Sequence, residues 1–195
     1  MALAYAVLTV DIAIVSSALQ LLNLSSGRFE LSSFLAALPF AAIAALTGFL
    51  LHEMAHKVTA QRLGFWSEFR ASPFGLLISV LTAVAGFLFA APGATLIGGQ
   101  GTVRDWGRSA LAGPLVNFLE GSVFLGVGLG VAAVGGPLYV ATPLVSLGFF
   151  NGWFAAFNLL PFGPLDGRKV LSWNPLLWGV MFGAAATLTG VAFFL

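Results

Sequence analysis

The stretch LTGFLLHEMAHKVTAQRLG, residues 46–64, places two histidines and a glutamate at the end of an apolar run. From Leu31 to Leu51 there are 21 residues without a charge, about the length a helix needs to cross the hydrocarbon layer of a membrane. The chain as a whole has the same character: 59% of its 195 residues are hydrophobic and only 8% are charged, against about 25% in a soluble domain. With a mean hydropathy of +1.00, this composition describes an integral membrane protein in a lipid bilayer. A net charge of +1 gives no electrostatic basis for binding nucleic acid. There is no cysteine, so disulfide and thiol chemistry are excluded.

The charges divide the chain into spans. Residues 2–24 hold one charge, Asp11, and lack a basic leader, so they are read as a retained first helix. SSGRFELS (25–32) is a polar turn, and a second helix runs from about Ser33 through the histidines to about Leu63. Further spans are expected over about 107–133, which holds Glu120, from the AVGGP turn (133–137) to about Leu160, and over Val170–Leu195. Residues 71–103 form an uncharged stretch of 33 residues that either crosses or dips in and returns. Basic residues gather on the cytoplasmic side of membranes. If 71–103 returns, Lys57, Arg62, Arg70, Arg104, Arg108, Arg168 and Lys169 share one face and only Arg28 lies on the other. If it crosses, this bias disappears, so the re-entrant reading is preferred, with five full crossings and a cytoplasmic N-terminus. The expected fold is a membrane all-α bundle of five to six segments with a re-entrant or partly β-like piece at about 71–103. It forms one domain, 1–195.

HEMAH (52–56) is the H-E-x-x-H pattern, and these are the two histidines of the chain. On a helix, positions i and i+4 lie one above the other, so both imidazoles can hold one Zn²⁺ while Glu53 reaches water beside it. Ionisable groups inside a membrane are costly and by default functional. A catalytic zinc needs a third protein ligand and one open position. The acids available are Asp11, Glu30, Glu68, Asp105, Glu120 and Asp166. Asp166 lies in NLLPFGPLDGRK (158–169), where Pro161 and Pro164 stop the preceding helix and Gly163 and Gly167 loosen the chain. Irregular backbone at membrane depth is tolerated where it lines a wet cavity. Asp166 shares a membrane face with the histidines only if 71–103 is re-entrant, which is the arrangement the basic residues favour. A zinc with two neutral imidazoles, one aspartate and a hydroxide is neutral, which suits a site below the membrane surface.

Three motifs resemble those of the site-2 proteases, a family of intramembrane zinc metalloproteases: HEMAH (52–56), AGPLVN (112–117) and NLLPFGPLDG (158–167), in the family's order on three separate segments. The resemblance covers roughly residues 33–172, the catalytic core. It implies His52, His56 and Asp166 as zinc ligands and Glu53 as general base. It also implies Asn158, with Asn117, as contacts for substrate backbone or a developing oxyanion. The family's β-like substrate-holding segment would correspond to the end of 71–103, although the insert is longer than an edge strand needs. No PDZ or CBS-type domain accompanies the motifs. The activity expected is hydrolysis of peptide bonds in or near membrane spans of protein substrates, with the site towards the cytoplasmic side of the cell membrane. Two other readings are a divalent metal transporter and a membrane metalloprotease of another type using Glu120 as third ligand. The tryptophans are read as interfacial anchors or packing.

Overall fold

A computed structural model describes residues 1–22, 31–85 and 92–195. The expected polar turn with Arg28 and Glu30, and the bend at Gly86, lie outside the described residues. The chain divides into two compact units, Met1–Leu50 with Glu68–Leu96, and Leu51–Ser67 with Ile97–Leu195.

The first unit holds helices α1 (Ala2–Leu22) and α2 (Leu31–Ala45), most of strand β1 (Trp66–Ala71), helix α4 (Pro73–Val84) and most of strand β2 (Gly93–Gly98). Its core sets the alanines of α2 and a mixed face of α1 at helical spacing. Ala4, Leu8 and Ile12 of α1 and Ala37, Ala41 and Ala44 of α2 are all buried. Alanine side chains let helix backbones approach closely where lipid offers no hydrophobic drive, and the Tyr5 hydroxyl donates to the Ala42 carbonyl at 3.1 Å across the pair. Helix α4 starts cleanly, with Pro73 in its first turn and the Ser72 hydroxyl accepting from the Gly75 amide at 3.0 Å.

Within the 71–103 stretch, the residues that flank α4 and the start of β2 meet. The Ser72 amide donates to the Pro92 carbonyl at 3.0 Å, Gly93 lies against Arg70 and Ala71, and Gly98 lies against Trp66. The strands therefore pair antiparallel, and the chain comes back to the place it left. Twelve residues of α4 extend roughly 18 Å, short of the roughly 30 Å of a hydrocarbon core.

The second unit carries α3 (His52–Arg62), α5 (Val103–Ala133), α6 (Leu138–Asn158), α7 (Asp166–Trp173) and α8 (Pro175–Phe193). Asp105 closes a capping box at the start of α5, its amide donating to Thr102 Oγ1 and its carboxylate accepting from the Thr102 amide. The buried face of α5 includes Gly107, Ala110, Pro114, Asn117, Gly121 and Gly128, a seam of mostly small residues. Helix α6 runs back along it, Gly121 meeting the backbone of Gly148 and Gly152, and Gly128 that of Ala141 and Val145.

The last expected span, Val170–Leu195, is divided by the structure. Asn174 ends α7 in an extended conformation and caps α8, its side-chain oxygen accepting from the Leu177 amide at 3.0 Å. The cause is Pro175, which disfavours helix in the residue before it and favours the first turn of a new one.

Four helices among the described residues are long and apolar enough to cross a membrane: Leu31–Arg62, Val103–Ala133, Leu138–Asn158 and Pro175–Phe193. Ala2–Ser16 and Pro73–Val84 are shorter apolar helices. The first of the four joins α2 to α3 through a π-helical segment, Leu46–Leu51, directly before His52. Widened turns of this kind are frequent at functional sites.

Candidate metal centre

His52 and His56 are one turn apart on α3, and both are buried. Their Nε2 atoms lie 3.0 Å from each other. Asp166, the first residue of α7, brings Oδ2 to 3.0 Å from His56 Nε2 and 3.6 Å from His52 Nε2. Ligands on a tetrahedral zinc at bonds of about 2.0–2.1 Å stand about 3.3 Å apart. The observed triangle of 3.0, 3.0 and 3.6 Å has those dimensions. Two imidazole nitrogens and a carboxylate oxygen are also a donor set that zinc takes with one position left open. Among the described residues, His52, His56 and Asp166 form the one group of three or more such side chains able to hold a metal ion.

Among the described residues the rival acids are not part of this group. Glu120 is not in this group, Asp105 serves as a cap, Glu68 lies 4.0 Å from Arg70, and Asp11 is buried in the first unit.

Each imidazole is held from behind. His56 Nδ1 faces the Ser109 carbonyl at 2.8 Å. His52 Nδ1 faces Asn117 Oδ1, and Asn117 Nδ2 donates to Asn151 Oδ1 at 3.0 Å. Oxygen acceptors at both Nδ1 atoms leave both Nε2 lone pairs for a cation, the usual outer-shell arrangement of metal-binding histidines.

The cradle requires a glycine. A Cβ on Gly113 would fall 2.3 Å from His56 Nε2 and 2.7 Å from His52 Nε2, in the space where the ligand atoms converge. A second glycine seats the acid: a Cβ on Gly167 would lie 1.9 Å from the Leu159 carbonyl oxygen, so the first turn of α7 rests on the frayed end of α6. The same carbonyl accepts from Trp178 Nε1 of α8 at 2.7 Å, so three helices set the position of Asp166. Burial opposes ionisation of Asp166. The neighbouring His56 imidazole and the bonds from both histidines outweigh it and hold the carboxyl below the usual carboxylate range. Its place at the start of α7 favours the anion in the same sense.

Glu53 is buried, next to His52 and three residues from His56, so it shares a helix surface with the second ligand. Asn117 is fully buried behind the His52 ring. Asn158 ends α6, half-buried, its amide donating to the Phe154 carbonyl at 3.0 Å. The Ser109 carbonyl, the Gly113 cradle and Asn151 lie outside the roles that the motifs assign. A signal for the first two was present, because Ser109, Gly113 and Asn117 recur at i, i+4 and i+8 and so share one helix face.

No family model matches the chain, and no solved structure does. Curated relatives do. The chain is 42% identical over 142 residues to the "Putative zinc metalloprotease MJ0611" of Methanocaldococcus jannaschii, an alignment covering 71% of this chain and 72% of that protein. It is 31% identical over 138 residues to the "Putative zinc metalloprotease Rip3" of Mycobacterium tuberculosis, covering 70% of this chain but 30% of the longer relative. With this identity over most of both chains in the first comparison, and with a zinc-sized donor set, the chain belongs to the zinc metalloprotease family of these relatives.

Proposed function

We propose that the chain is an intramembrane protease of the site-2 type, hydrolysing peptide bonds in or beside membrane spans of protein substrates. The observation that carries this reading is the placement of the two histidines: they lie on the same continuous apolar helix, Leu31–Arg62, that is long enough to cross a bilayer. Zinc bound there supplies Lewis acidity, polarising a scissile carbonyl and lowering the pKa of water towards about 7.

The protein groups do the rest. Glu53 takes the proton from the attacking water and returns it to the leaving amine. Ser109 and Asn117 hold the imidazoles in the tautomer that keeps Nε2 free. Asn158, at the frayed end of α6, contacts substrate backbone, while Asn117 acts on the ring behind which it is buried. The substrate must be locally extended for its carbonyl to be reached. The β1–β2 pair, tied to α3 where Ser67 Oγ donates to the Lys57 carbonyl at 3.1 Å, offers an edge for an extended segment.

Lys57, Arg62, Arg104, Arg108, Arg168 and Lys169 all belong to α3, α5 and α7, the helices that carry or back the metal-binding residues. Their position supports a cytoplasmic active site. Counting α1 as a crossing gives five, with α4 dipping in and returning. A transport path would need successive ligand sets, whereas one such group is found among the described residues.

The test is cleavage of a membrane-protein substrate by purified protein in detergent or liposomes. Glu53→Gln is expected to keep its zinc and lose cleavage. Retained cleavage would overturn the assignment of the base, and cleavage of soluble peptides alone would overturn the intramembrane reading.

A further inference from the structure

We infer that Asn151, on α6 behind Asn117, is a positioning residue for the metal centre: it orients the Asn117 amide, and through it selects the His52 tautomer that can bind a cation. The inference rests on the metal centre and not on which substrate is cut.

The direction of the chain of bonds follows from its far end. Asn151 Nδ2 lies 3.1 Å from the Leu147 carbonyl, which can only accept. The Asn151 amide nitrogen must therefore point there, turning its oxygen towards Asn117. That oxygen can only accept, so Asn117 presents its NH₂ to Asn151 and its own oxygen to His52 Nδ1. Facing a carbonyl oxygen, Nδ1 carries the hydrogen, and in the neutral ring the lone pair is then on Nε2, beside Asp166 Oδ2 and His56 Nε2. Both asparagines are fully buried, so bulk water does not compete for either amide.

The alternative arrangement shows why Asn151 is needed. The two ends of an asparagine amide have nearly the same shape. Turned over, Asn117 would offer N–H to Nδ1, and the imidazole would answer with its lone pair there and its hydrogen on Nε2, aimed at the other two ligands. Such a ring cannot coordinate. His56 has no such ambiguity, because the Ser109 carbonyl faces its Nδ1 directly. One histidine is thus anchored by a backbone carbonyl at first hand, and the other by the Leu147 carbonyl through two amides on α5 and α6.

The test uses the full chain in detergent and needs no substrate. Zinc affinity is read by competition with a chromophoric chelator, and the tautomer by ¹⁵N-imidazole NMR of the metal-free protein. Asn151→Leu is expected to weaken zinc binding by roughly 10–100-fold, the usual effect of losing an outer-shell partner, and to turn a single Nδ1–H signal for His52 into a mixture. Asn151→Asp keeps an acceptor towards Asn117 and, as a neutral acid, a donor towards Leu147, so it should bind zinc within about threefold of wild type given that the outer-shell bond survives.

The deciding variant is Asn117→Asp combined with Asn151→Leu. An ionised carboxylate at 117 has no donor to present, so residue 151 becomes dispensable and zinc affinity returns. Should Asn151→Leu fail to fold, Asn151→Ala is read in the same assays. Zinc affinity unchanged by either apolar variant, or no rescue in the double variant, would overturn the inference.

Discussion

Asp166 is a half-buried carboxyl and Asp11 a fully buried one in a chain that carries few acids, and they could hardly be used more differently. Around Asp166 the polar atoms converge: His56 at 3.0 Å, His52 at 3.6 Å, and Lys169 Nζ at 4.0 Å from its other oxygen. Asp11, on α1, is fully buried beneath a cleft lined by Ala6, Val7, Val10, Ile14 and Val80. Among the described residues neither of its oxygens meets a partner in hydrogen-bond geometry, and the buried Ser79 of α4 donates its hydroxyl to the Leu76 carbonyl. The contrast teaches that burial of an acid within an apolar helix is not what marks a site. What marks it is several groups pointing their lone pairs at one small volume, on a scaffold that fixes them there.

Substitution sharpens the contrast. The largest effect is expected at Asp166→Ala, which removes a ligand: zinc per chain, measured by metal analysis after dialysis, should fall close to zero, a loss larger than the roughly 10–100-fold typical of outer-shell changes. Glu53→Gln comes next, with cleavage reduced by about 10²–10⁴ and zinc content unchanged.

Acidification should release zinc progressively, because both imidazoles must be neutral to bind the metal while Asp166 is held ionised to low pH. The sign is fixed, since protons compete with the metal. Affinity that rose on acidification would contradict the ligand set. Gly113→Ala should lower both zinc affinity and thermal stability, by about 1–3 kcal/mol, since its methyl group occupies the ligands' space. Asp11→Asn should be the mildest, leaving zinc and cleavage as they were and moving stability by about 1 kcal/mol or less. A large loss of zinc in that variant would break the comparison.

Much of the site was legible because its parts obey one-dimensional rules. The four-residue spacing of His52 and His56 is helical geometry, and the prolines before Asp166 announce an irregular end to α6. The break at Asn174 and Pro175 follows equally local rules, although a long apolar run from Val170 hides it. What could not be read depends on neighbours distant in sequence. Asn151 matters because α6 lies against α5 in one register, and Gly113 because α5 crosses α3 at the histidines. Neither register is written in the residues of a single helix. The π-helical turn before His52 likewise has no punctuating residue to mark it.

The third ligand follows the second by 110 positions, on α7, with α5 and α6 made in between. During synthesis the imidazole pair is therefore made long before its acidic partner exists. Until α7 emerges and seats Gly167 on the end of α6, the nascent polypeptide has two donors and no closed centre. The order of the genetic message thus acts as a safety catch: the donor set closes only after α3, α5 and α6 have been made.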